Sequence, residues 1–200
     1  VRVFCSGRTD SGVHAIEQVI HFETNTIRTE RAWLFGGNVN LPSDVNFKWV
    51  RVVSDDFHAR FSALARSYKY KIHHNPVRSS LKADYFLWEP RPLNIDDMKE
   101  AAGLLVGEHD FSCFRGSLCQ AKSPIKTVEY LEIDSFEDEL ILNFKANAFL
   151  HHMVRNIVGT LLKIGRCEKD VEWMSFVLAS KDRKKAGPTA EPQGLYFMQA

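Results

Sequence analysis

Cysteine is scarce, and its spacing is unsuited to bridging: Cys5, Cys113, Cys119 and Cys167 form no Cys-x-x-Cys pair. That argues against a disulfide framework and fits a reducing cytoplasm. His109, Cys113 and Cys119 are near one another in sequence, but their spacing matches no common zinc site, so no metal is expected. No apolar run approaches the ~20 residues that cross a bilayer, and the start lacks the layout of a signal peptide, so no membrane attachment is expected. There is also no excess of one charge: 26 Lys and Arg face 25 Asp and Glu, leaving a net charge of +1. Internal repeats, low-complexity tracts and long linkers are missing. What is there, 200 residues of which 44% are hydrophobic, is enough for one or two modest cores.

The near-zero net charge hides strong segregation. From Arg60 to Lys82 there are six Lys or Arg and no acid, with Tyr68, Tyr70, His73 and His74 among them. Glu129 to Glu139 holds six acids and no Lys or Arg, and Lys181, Arg183, Lys184 and Lys185 form a second basic cluster. Charge runs are commonly no more than solvated faces. Phosphate binding nevertheless depends on local charge, and aromatic residues interleaved with cations suit a nucleic-acid surface.

Patterning along the chain mixes strand and helix signals. Val1 to Cys5, Glu17 to Thr24, Asn46 to Ser54, Arg66 to His73, Thr127 to Asp134, Leu140 to Ala146 and Leu195 to Gln199 read as strands. In the fourth of these, Tyr68, Tyr70 and Ile72 share one face, and Lys69, Lys71 and His73 the other. Helices are expected over Thr29 to Asn38 with Thr29 as N-cap, and from Asn94 to a stop at Gly107. Two more should run from an Asn147 cap to about Gly165 and from an Asp170 cap to about Ser180. The order is too irregular for a doubly wound parallel sheet. It favours an α+β fold, with a mostly antiparallel sheet and helices on one face.

The densest chemistry lies in Gly7-Arg8-Thr9-Asp10-Ser11-Gly12-Val13-His14-Ala15, directly after the first strand. Two glycines bracket an aspartate in a stretch of turn formers, which presents a carboxylate at a sheet edge. Alone, a Gly-bracketed Asp is an ordinary turn. The nonapeptide, however, strongly resembles the catalytic loop of the TruA-type tRNA pseudouridine synthases, and further matches follow in family order. They are Ala65-Arg66-Ser67-Tyr68-Lys69-Tyr70, Gly107-Glu108-His109-Asp110-Phe111-Ser112-Cys113-Phe114-Arg115, the run from Ala146 to Gly159 (ANAFLHHMVRNIVG), and Ala186-Gly187-Pro188-Thr189-Ala190 with Gly194-Leu195-Tyr196. Together they span essentially the whole sequence.

The resemblance implies two ferredoxin-like α/β domains, expected over 1–58 and 59–200, which share a sheet around a central cleft. It also implies a homodimer that embraces tRNA and isomerises uridine to pseudouridine at nucleotides 38 to 40 of the anticodon stem-loop. Family members begin with a strand and a Gly- and Trp-containing loop ahead of the catalytic motif. This sequence has neither, so it reads as lacking an N-terminal portion. The reaction breaks the N-glycosidic bond and reattaches the uracil through carbon 5. Nothing is oxidised or imported, so no cofactor is expected.

One carboxylate, as nucleophile or as base, is assigned to Asp10 by the resemblance. A carboxylate working in a closed site needs a nearby cation, and the family's motif arginine falls on Arg155. Tyr68 is expected to stack on the uracil and to take part in proton transfer. Arg8 would fill the gap left by the flipped nucleotide, Leu195 would form an apolar wall above the base, and Lys69 and Lys71 would meet phosphates. Tyr70 reads as packing, and His14, His151 and His152 as structural or phosphate-facing. Two other classes remain open: a non-catalytic RNA-binding fragment, and a dimeric aspartic protease using Asp10-Ser11-Gly12, although only one such triplet is present.

Overall fold

The computed structural model describes residues 1–200. Along the chain it forms β1 (Val3–Cys5), β2 (His14–Ala15), β3 (Ile20–Phe22), α1 (Glu30–Asn40), β4 (Arg66–His74), β5 (Leu87–Glu89) and α2 (Ile95–Gly103). Then come β6 (Gly107–Asp110), β7 (Ile125–Phe136), β8 (Glu139–Ala146), α3 (Met153–Gly165), α4 (Glu172–Ser180) and β9 (Leu195–Gln199). The α+β class and mostly antiparallel sheet expected from the sequence are present. A seven-stranded sheet runs β2-β9-β4-β8-β7-β6, and β5 pairs with β4 beside it. Only β2–β9 and β4–β5 are parallel. β1 and β3 pair with each other as a separate ribbon. No helix is long and apolar enough to cross a membrane.

Alternation sets the core. In β8, Leu140, Leu142, Phe144 and Ala146 are buried while the residues between them are half-buried, so one face is closed and the other open. α2, α3 and α4 supply the cover through Met98, Ile157, Leu161, Met174 and Val177, among others. Each such side chain stabilises by roughly 1.5–3 kcal/mol. In α3, eleven of thirteen residues are buried, and only Arg155 and Lys163 keep partial exposure. A helix so thoroughly enclosed has little freedom to turn, so Arg155 is held in a fixed direction.

Four local expectations are corrected. Asn46 to Ser54 forms no strand, and 41–65 holds neither helix nor strand. An alternating run needs a partner edge and a buried face. Here Phe47 N–H donates to Asn38 Oδ1 at 2.6 Å, Val52 N–H donates to Glu30 Oε1 at 3.3 Å, and Val52 is 88% exposed. The segment lies along α1 instead of pairing. Glu17 to Thr24 shortens to β3, because Gln18 is used by the loop after β1. α2 ends at Gly103, and Gly107, at φ +105°, opens β6 instead. α3 begins at Met153, not beside Asn147, whose Oδ1 accepts the Thr127 N–H at 3.1 Å. His152, at φ +60°, turns the chain into the helix.

The caps at Thr29 and Asn94 are as expected, accepting from Ala32 and Asp97 N–H at 3.2 Å each. Asp170 Oδ1 accepts the Trp173 N–H at 2.9 Å and so serves the start of α4.

Candidate active site

The loop between β1 and β2 is pinned along its length. Gln18 Oε1 accepts from Ser6 Oγ at 2.8 Å and from Gly7 N–H at 3.3 Å, and its amide donates back to the Gly7 carbonyl. Val13 N–H donates to the Asp10 carbonyl at 3.1 Å, which closes a turn over the aspartate. Gly12 adopts φ +80°, and a Cβ there would meet Pro192 Cγ at 3.1 Å. His14 ends the loop stacked between Tyr85 and Tyr196, at centroid distances of 5.4 and 4.7 Å.

Into this loop projects Arg155, one of the two α3 side chains that keep partial exposure. Arg155 Nη1 donates to Asp10 Oδ2 at 2.9 Å across 145 residues of sequence, and Arg155 Nε donates to the Ala190 carbonyl at 2.7 Å. The Arg155 side chain is 13% exposed and that of Asp10 is 32% exposed. A charge-assisted bond that is largely shielded from solvent on one side is stronger than a surface pair.

Tyr68 packs beneath the loop: a Cβ on Gly7 would lie 3.5 Å from its hydroxyl. Phe149 and Phe197 meet its ring edge-to-face at 5.0 and 5.2 Å. Burial pushes its hydroxyl up to about 12, with the Asp10 charge adding to the rise and Arg66 opposing it. The phenol is therefore a neutral donor at neutral pH. Asp10, Tyr68 and Arg155 thus meet in one place.

The other expectations fare differently. Arg8 is exposed on the aspartate loop, two residues before Asp10. Leu195 is only 7% exposed and belongs to the core, so it offers a base little surface. Lys71 Nζ lies 4.1 Å from the centroid of Tyr196 and 5.4 Å from that of Phe86 on the open sheet face, while Lys69 has no ion pair. Arg66 is spent on internal carbonyls and Lys82 on Glu139 at 2.8 Å. In the second basic cluster, Arg183 is turned inward and Lys181 pairs with Asp110 at 3.3 Å. Tyr70 is fully buried and donates to the Glu191 carbonyl at 2.7 Å, a packing role as expected.

Sequence reasoning set His151 and His152 aside as structural or phosphate-facing, and the structure places both against Asp10. His152 Nε2 lies 3.0 Å from Asp10 Oδ2, and His151 Nε2 lies 3.4 Å from Oδ1, with the two rings stacked at 3.8 Å. Their only sequence signal was their place in the same motif run as Arg155, four and three residues before it. Ligand atoms of Asp10, His151 and His152 all lie within 4.8 Å of one another, a donor set able to hold a divalent ion. Arg155 already supplies a positive charge at the carboxylate.

Burial lowers the pKa of His152 below the ordinary histidine value, outweighing the opposing pull of Asp10. Between its lowered value and the ordinary one, an unfolded chain binds a proton that the folded one refuses. The stability this contributes is present above the ordinary histidine value and lost as pH falls below it. An NMR titration should place His152 below free histidine, and Asp10→Asn, which removes the attracting charge, should lower it further. A midpoint that rises in Asp10→Asn would contradict the contact.

A family model described as tRNA pseudouridine synthase matches residues 101–200. The tRNA pseudouridine synthase A of Hydrogenovibrio crunogenus is 52% identical over 196 residues, covering 98% of this chain and 75% of that protein. The corresponding protein of Methylococcus capsulatus is 51% identical, over 98% of this chain and 73% of its own length. That of Pseudomonas aeruginosa is 49% identical, over 100% and 70%. Agreement of this extent leaves no room for a protease reading of the lone Asp-Ser-Gly triplet: the chain belongs to the tRNA pseudouridine synthase family.

Proposed function

We propose that this chain isomerises uridine to pseudouridine in the anticodon stem-loop of tRNA, at nucleotides 38 to 40, with Asp10 as the working carboxylate. The observation that carries the reading is the 2.9 Å contact from Arg155 Nη1 to Asp10 Oδ2. It joins two motifs far apart in sequence and holds a carboxylate that remains partly open to solvent. As nucleophile, Asp10 attacks the ribose; as base, it removes a ribose proton. In either role it needs a fixed direction, which Arg155 and His152 provide. Tyr68, a neutral phenol against two aromatic edges, lies under the base and relays the proton that carbon 5 loses on joining the ribose towards N1, which gains one. Arg8, exposed on the same loop, occupies the space the flipped nucleotide leaves.

In this reading 1–58 carries the carboxylate and 59–200 its charge partner, with a homodimer on tRNA in the cytoplasm as the working unit. The deciding experiment is mass-neutral conversion of uridine in tRNA, detected by chemical labelling of pseudouridine. Binding without conversion would favour a non-catalytic RNA-binding role and overturn the proposal.

Lys69 is the better placed of the two sheet-face lysines to meet a phosphate, since the Lys71 ammonium is occupied by aromatic faces. Affinity for tRNA should fall as salt rises, and Lys69→Ala should reduce that slope by about one phosphate contact. Lys71→Ala should reduce it less. Equal slopes in Lys69→Ala and the parent protein would return this lysine to a solvated face.

A further inference from the structure

We infer that Thr189 is a positioning residue for the reaction, acting by fixing the direction of Arg155. The inference rests on the reading of Asp10 and Arg155 as the working pair. The Ala186-Gly187-Pro188-Thr189-Ala190 segment touches no reacting atom, yet it is fastened to α3 residue by residue. Arg155 and Ala190 exchange two bonds: Arg155 Nε donates to the Ala190 carbonyl at 2.7 Å, and Ala190 N–H donates to the Arg155 carbonyl at 3.1 Å. One step further along each strand of this contact, Thr189 Oγ1 donates to Asn156 Oδ1 at 2.6 Å.

Arg183 closes the arrangement from outside. Its Nη2 donates to Asn156 Oδ1 at 2.9 Å and to Thr189 Oγ1 at 3.0 Å, and its Nη1 donates to the Gly187 carbonyl at 2.8 Å. Gly187 N–H donates to Thr160 Oγ1 at 2.9 Å, and that hydroxyl donates to the Asn156 carbonyl at 2.8 Å. The Thr189 hydroxyl therefore accepts from Arg183 and donates to Asn156 at once, a double role no apolar side chain can fill.

The consequence is geometric. The Arg155 guanidinium has two anchors, the Ala190 carbonyl and Asp10. If the carbonyl moves, the Nη1 aimed at Asp10 moves with it. Asn156 is fully buried, so the reference point against which Thr189 holds the segment is itself fixed. Catalysis is sensitive to displacements of this kind: a shift of about 1 Å costs as much as about 100-fold in rate.

The test is Thr189→Val, which keeps shape and removes the hydroxyl, beside Thr189→Ser, which keeps the hydroxyl. Arg183 still donates to Asn156 in Thr189→Val, so no buried acceptor is stranded and the fold should persist. Single-turnover measurements at saturating enzyme separate a slower site from a smaller active fraction, because misfolding lowers amplitude and leaves the rate constant unchanged. We expect the Thr189→Val rate constant to fall about 10- to 100-fold, with tRNA affinity unchanged within about twofold, and Thr189→Ser to recover most of it.

If Thr189→Val melts early, Arg183→Lys, which keeps the charge and loses the fork, should lower the same rate constant. A loss confined to amplitude, a loss confined to affinity, or a Thr189→Ser no better than Thr189→Val would overturn the inference. Arg155→Lys measured alongside separates the two levels. If it leaves the rate constant intact, the working pair itself is wrong. If it lowers the rate constant while Thr189→Val does not, only the positioning role fails.

Discussion

Asp10→Ala is expected to abolish pseudouridine formation by several orders of magnitude while leaving tRNA binding nearly intact. The substitution removes the carboxylate on which Arg155, His151 and His152 converge, and with it the group to which the proposed reading gives the attack or the deprotonation. In the proposed reading phosphates are met by other residues such as Lys69, so affinity should change by only about 1–2 kcal/mol, the scale of one polar group. Loss of repulsion between the carboxylate and RNA phosphates acts in the opposite sense, towards tighter binding. The fold should survive, because Arg155 keeps its bond to the Ala190 carbonyl. Turnover and affinity should be measured on one preparation, since misfolding depresses both. Turnover by a folded Asp10→Ala protein would refute the assignment of this residue.

Gly159→Ala should destabilise strongly, against the local rule. In an isolated helix, alanine is favoured over glycine by about 1 kcal/mol. In α3, a Cβ at this position would lie 1.8 Å from the Pro188 carbonyl oxygen and 2.9 Å from its carbon. The obstacle is backbone, not a side chain that can swing away. The reciprocal site is equally tight: a Cβ on Gly187 would lie 2.5 Å from the Gly159 oxygen. Relief requires the 186–190 segment to lift off the helix, breaking hydrogen bonds that fasten it there.

Overpacking of this kind costs about 1–3 kcal/mol and more where backbone must shift, which for a chain of this size is a melting temperature lower by several degrees. Activity should fall too, because Ala190 orients Arg155. A Gly159→Ala protein melting at or above the parent would show that the close approach is not real.

Much of the fold was legible because the sheet has one closed face. β4 and β8 alternate so regularly that period-two reading finds them, and Thr29 and Asn94 announce helix starts by capping chemistry. Asn46 to Ser54 alternates equally well and is no strand, since alternation specifies a face but cannot supply an edge to pair with. The start of α3 was hidden for a related reason. Asn147 has a side chain suited to capping, but β7 recruits it first, and His152 takes a left-handed conformation that no local pattern signals. At the site, Asp10, Tyr68 and Arg155 were visible through motif resemblance. The histidines at Asp10 were set aside because nothing in a sequence states which side of a turn will face a loop 140 residues or so away.

The parallel pairing of His14 with Tyr196 has a consequence for synthesis. The strand that ends the aspartate loop pairs with a segment made about 180 residues later, so the contacts that complete this loop are of high contact order. A nascent chain therefore carries the loop unpaired while the intervening residues are translated, on the order of ten seconds or more at about 5–20 residues per second. During that interval neither β9 nor the Ala190 carbonyl exists to direct Arg155. The arrangement around Asp10 is therefore completed only when the polypeptide closes on itself, after both ends of this long-range contact have been made.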